Sequence, residues 1–88
     1  MKIKSGFILR QIAGSYVAVP VGARTVDFNG MITLNDTAAF LWHQLEQDCD
    51  RDALVRAVLA EYEVDEAHAR RSVENFLDSL RQAGCLDE

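Results

Sequence analysis

Over the first third of the chain apolar residues come in short runs broken by turn formers. After Asn35 they recur every three or four positions. The first pattern predicts strands and the second predicts helices. Phe7-Ile8-Leu9-Arg10-Gln11-Ile12 reads as one strand, Ala13-Gly14-Ser15 as a turn, and Tyr16-Val17-Ala18-Val19-Pro20-Val21 as a second strand rich in β-prone residues. Pro20 cannot donate to a ladder, so it belongs at a strand end or an unpaired edge. Gly22-Ala23 relaxes the chain. Arg24 to Phe28 then leads into Asn29-Gly30, a strong hairpin signal, with Met31 to Leu34 returning. Met1 to Gly6 reads as a loose start.

Asn35 ends the last strand and is a natural N-cap, with Asp36 against the positive end of the helix dipole. Ala38, Leu41, Trp42 and Leu45 form the apolar stripe of the first helix, so Trp42 reads as packing. Asp50 caps a second helix through Ala53, Leu54, Val58, Leu59 and Tyr62. Asp65 caps a third, which carries Ala69, Val73, Phe76, Leu77 and Leu80 and stops at Gly84. The expected helices cover about 36–47, 51–62 and 66–83. Strands followed by three helices make an α+β domain, with a sheet of three or four antiparallel strands and a winged helix-turn-helix-like order. With 88 residues the chain is one domain.

A two-residue Asn29-Gly30 loop pairs Phe28 with Met31, Asp27 with Ile32 and Val26 with Thr33. Both faces of that hairpin then hold large apolar groups. Leu34 leads directly into the first helix, so its face, shared with Ile32, is expected to point inward. Phe28 and Met31 would be left partly exposed. Either a shifted register or the N-terminal strand covers them, or they form an apolar patch beside an open strand edge. Such an edge can capture an extended peptide by β-augmentation.

Charge narrows the function. The net charge is −5, and residues 46–88 carry nearly all of the acid. A DNA-binding face would need the opposite sign. No apolar run is long enough to span a membrane or to act as a signal peptide, so the expected compartment is the cytoplasm. There Cys49 and Cys85 are expected as free thiols. They and the two histidines, His43 and His68, lack metal-ligand spacing, and Asp48, Asp50 and Asp52 lack the glycine and terminal glutamate of a calcium loop. No serine sits in a triad context and no glycine-rich phosphate loop is present. The expectation is a non-enzyme with no cofactor.

Leu34-Asn35, Thr37-Ala38 and Phe40-Leu41-Trp42 resemble a signature of the PqqD-like family, pyrroloquinoline quinone biosynthesis protein D and its relatives. So do Tyr62, Val64-Asp65, Ala69, Val73, Phe76-Leu77, Leu80, Gly84 and Leu86, and the likeness runs from about Phe7 to Leu86. The resemblance implies a peptide-recognition element that performs no chemistry. It would bind the leader segment of a ribosomally made precursor peptide as an added strand. It would then present that peptide to a modifying enzyme, such as a radical S-adenosylmethionine maturase.

Carried onto this chain, the peptide-binding residues are Phe28, Met31, Ile32, Thr33 and Leu34 on the strand side, and Arg70, Val73, Glu74 and Leu77 on the third helix. The chain departs from the family pattern at Ser72, where many members carry an acid. Expected partners are a leader peptide and its modifying enzyme, with neither nucleic acid nor membrane, and the chain is expected as a monomer or weak homodimer. The rivals are a winged-helix DNA-binding regulator and an adaptor for some other protein.

Overall fold

The computed structural model describes residues 1–22 and 32–87. Strands β1 (Lys2–Ile3), β2 (Phe7–Ile12), β3 (Ser15–Pro20) and β4 (Ile32–Leu34) precede helices α1 (Asp36–Gln44), α2 (Arg51–Glu61) and α3 (Glu66–Ala83). Strand β5 (Leu86–Asp87) closes the described chain. This is the expected α+β order, a sheet followed by three helices.

Strands β2, β3 and β4 form an antiparallel sheet in that order. The β2–β3 turn is the pair Ala13-Gly14, with Ile12 opposite Ser15, and both turn residues have positive φ, 51° and 83°. Two positive φ values make a primed turn whose twist suits the flanking strands. Glycine adopts that conformation freely, and Ala13 is carried along by the tight two-residue loop. Pro20 ends β3, where its missing N–H costs no internal ladder bond. The Asn29-Gly30 turn lies outside the described residues, as do Phe28 and Met31.

Each helix starts on the expected cap. The side-chain oxygens of Asn35, Asp50 and Asp65 accept from the amides of Ala38, Ala53 and His68 at 2.8, 2.7 and 2.7 Å. Gly84 ends α3 at φ 77°, with its N–H bonded to the carbonyls of Arg81 and Leu80. The apolar stripes of the helices and the inner sheet face meet in one core. It holds Ala18 and Leu34 from the sheet, Leu41 and Trp42 from α1, Leu54 and Val58 from α2, and Val73, Phe76, Leu77 and Leu80 from α3. Trp42 is 1% exposed, so it is packing, as its stripe position indicates.

The start of the chain is not loose. Lys2 pairs with Asp87 and Ile3 with Leu86. The amide of Ile3 donates to the Leu45 carbonyl at 2.9 Å, and that of Lys4 to the Cys85 carbonyl at 2.8 Å. The Met1 ammonium reaches Asp48 at 2.7 Å and the Cys49 carbonyl at 3.2 Å, while the Cys49 amide donates to the Met1 carbonyl at 3.0 Å. The first strand thus ties the α1–α2 connection to the end of α3. These contacts satisfy backbone groups that a loose segment would leave to water.

Candidate functional site

Strand β4 has only β3 beside it among the described strands, so it is an edge of the sheet. An edge strand presents N–H and C=O groups along its free side. The side chains of β4 alternate as the pleat requires: Ile32 is half-buried, Thr33 exposed and Leu34 6% exposed. The face expected to point inward does so. Tyr16 pairs with Leu34, Val17 with Thr33 and Ala18 with Ile32.

Asn35 turns the chain straight from β4 into α1, and α3 packs alongside. A cleft of about 320 Å³ opens between them. Thr33, Leu34, Asn35, Thr37 and Ala38 line it from the strand and the start of α1. His68, Ser72, Asn75, Phe76 and Ser79 line it from α3. The α3 wall follows the helical period, because 68, 72, 75 and 79 stand four, three and four apart. Among the described residues no lysine, arginine, aspartate or glutamate lines the cleft, and its hydrogen-bonding groups are hydroxyls, amides and the His68 ring.

Of the strand residues expected at a peptide site, Thr33 and Leu34 line this cleft and Ile32 stands beside them on β4. The α3 residues are placed otherwise. Val73 and Leu77 are fully buried in the core. Glu74 is paired with Arg51 of α2 at 2.5 Å, and Arg70 lies 3.5 Å from both Asp52 and Glu66. These residues join α3 to the core and to α2, and the adjacent stripe of α3 faces β4. A polar stripe beside the apolar one was present in the sequence as a signal. Reading α3 for its core positions passes over it.

Ionisation is displaced elsewhere. The hydrogen bond between them raises the pKa of the Met1 ammonium and holds the Asp48 carboxyl below its usual range. Burial pushes the Cys49 thiol up. None of the three lines the cleft. Among the described residues no cluster of histidine, cysteine, aspartate or glutamate could hold a metal ion, and no helix is long and apolar enough to cross a membrane.

The family model described as coenzyme PQQ synthesis protein D (PqqD) matches residues 16–86. The chain belongs to the PqqD family. Within the PqqD match lie β3 from Tyr16 onward, β4, all three helices and every described residue lining the cleft. Two solved structures share the fold. TbiB1 in complex with the TbiA(beta) leader peptide is 24% identical, with a TM-score of 0.76 over 99% of this chain and 95% of that one. A lasso peptide synthetase B1 complexed with the leader peptide is 23% identical, with a TM-score of 0.72 over 96% of this chain and 93% of that one. No curated protein sequence matches the chain.

Proposed function

We propose that this PqqD-family protein captures the leader segment of a ribosomally made precursor peptide as an extra strand on β4 and presents the peptide to a modifying enzyme. The observation that carries the reading is the edge position of β4 directly beside the cleft on α3. Backbone bonds along Ile32–Leu34 would hold an extended peptide without regard to its sequence, and the cleft would take one of its side chains. Family membership supports the reading, and so do the leader peptides bound in both structural neighbours. The protein itself does no chemistry in this scheme. Its partner enzyme is of the kind that stand-alone recognition domains serve, a radical S-adenosylmethionine maturase or a lasso-peptide enzyme, and the complex forms in the cytoplasm. The negative charge speaks against the DNA-binding alternative.

Proline scanning tests the edge. Successive residues of an antiparallel strand send their N–H groups to opposite sides. Of Ile32→Pro and Thr33→Pro, one therefore removes an outward donor and the other a donor to β3. The expected result is a roughly tenfold or larger loss of leader affinity in the folded variant that lacks the outward donor. The ligand is the leader region of a short precursor encoded beside the chain, and binding is read by calorimetry. Unchanged affinity in folded forms of both variants contradicts strand addition.

A further inference from the structure

The lining of the cleft says what kind of side chain it accepts. Ser72, Asn75 and Ser79 stand at i, i+3 and i+7 on α3, so they share one face, and Thr37 of α1 lines the same cleft. The Ser79 hydroxyl donates to the Asn75 carbonyl at 3.0 Å, which leaves its oxygen open as an acceptor. Asn35 accepts from the Ala38 amide through Oδ1, which leaves its NH₂ free to donate. The side chains of Thr37, Ser72 and Asn75 bond to no other described residue. Donors and acceptors of both kinds therefore converge on one cleft, over a nearly buried apolar floor of Leu34 and Phe76.

At about 320 Å³ the space lies at the small end of ligand pockets, enough for a side chain or two. We propose that the cleft selects a leader residue with an uncharged hydrogen-bonding side chain, a carboxamide or an aliphatic hydroxyl, and that Ser72 and Asn75 determine this specificity. The inference rests on the strand-addition reading.

Chemistry sets the preference. A leader carboxylate would exchange water for a wall whose described residues include His68 but no lysine or arginine, with the exposed Asp36 next along the chain from Asn35. A leader ammonium or guanidinium would find no carboxylate among the described residues of the wall. An aliphatic side chain would strip water from the hydroxyls and amides and return no bond. An amide or hydroxyl exchanges its own water for partners of both kinds.

The test selects binders from a yeast-displayed library of random linear dodecapeptides against the intact 88-residue chain. Selected peptides that shift the Ile32–Leu34 amide resonances are then studied. The expected result is a shared position occupied by Asn, Gln, Ser or Thr, at which alanine weakens binding about tenfold. Against the Ser72→Ala/Asn75→Ala double variant the same peptide change should cost less than about twofold, since the partners are gone. Ser72 is half-buried and Asn75 exposed, and alanine is a better helix former at both, so the variant folds. A shared apolar or charged residue overturns the specificity inference and leaves strand addition standing. So does a tenfold loss that persists in the double variant. Selected peptides that leave Ile32–Leu34 unshifted overturn strand addition, and this inference with it.

Discussion

Leu34 on β4 stands opposite Tyr16 on β3, and both side chains pack on the helical core. Their neighbours Thr33 and Val17, also a pair, lie on the other face. One residue step along β4 therefore separates a structural position from a solvent-facing one.

This alternation predicts opposite outcomes for adjacent alanine substitutions. Leu34→Ala should lower stability by about 2–4 kcal/mol, because a 6% exposed side chain leaves a cavity under the sheet. Thr33→Ala should stay within about 0.5 kcal/mol. Urea denaturation followed by circular dichroism measures both. A large loss at Thr33 with a small one at Leu34 would mean that the strand faces the other way.

The Met1–Asp48 ion pair predicts a stability plateau bounded on both sides. Asp48 is depressed in the folded chain, so its contribution is present above the usual carboxylate pKa and is lost as pH falls through the lower folded value. The Met1 ammonium is raised, so its contribution is present below its usual value and is lost as pH climbs through the higher folded one. Between roughly pH 4 and 8 both terms are in place. Thermal melts across pH should show Asp48→Asn less stable than the parent inside that window, with the gap narrowing at either end. A gap that does not change with pH would assign the effect to something other than charge.

The two thiols should react differently. Cys85 is fully buried and Cys49 half-buried, with its Sγ 3.6 Å from the Gln44 carbonyl and its pKa pushed up by burial. Thiolate is the reactive form. In native buffer near pH 7.5 a disulfide reagent should label Cys49 alone, more slowly than it labels a free cysteine, and both thiols after denaturation. Fast native labelling of Cys85 would contradict the packing at the end of α3.

Much of this fold is written locally. The three N-caps, the Ala13-Gly14 turn and the buried stripe of α3 each depend on residues a few positions apart, and each was legible in the sequence. The β1–β5 pairing was not. It joins Lys2–Ile3 to Leu86–Asp87, two-residue strands from opposite ends of the chain, and nothing near either one signals the other. The strand side of the candidate site was legible because Leu34-Asn35 marks the change from sheet to helix. The α3 side was only half so. The apolar period identifies Val73 and Leu77 but says that they are buried, and the cleft is lined by the neighbouring polar stripe. On a solvated helix such a stripe looks ordinary until the partner strand is placed beside it.

The most direct measurement is a titration of the ¹⁵N-labelled chain with the leader region of a precursor peptide encoded beside it, followed by NMR. Strand addition at β4 predicts saturable shifts at Ile32–Leu34 and along Ser72, Asn75 and Ser79, with the amides of α2 unmoved. No shifts at about 300 μM peptide, where even weak binding registers, or shifts confined to α2, would contradict capture at the β4 edge.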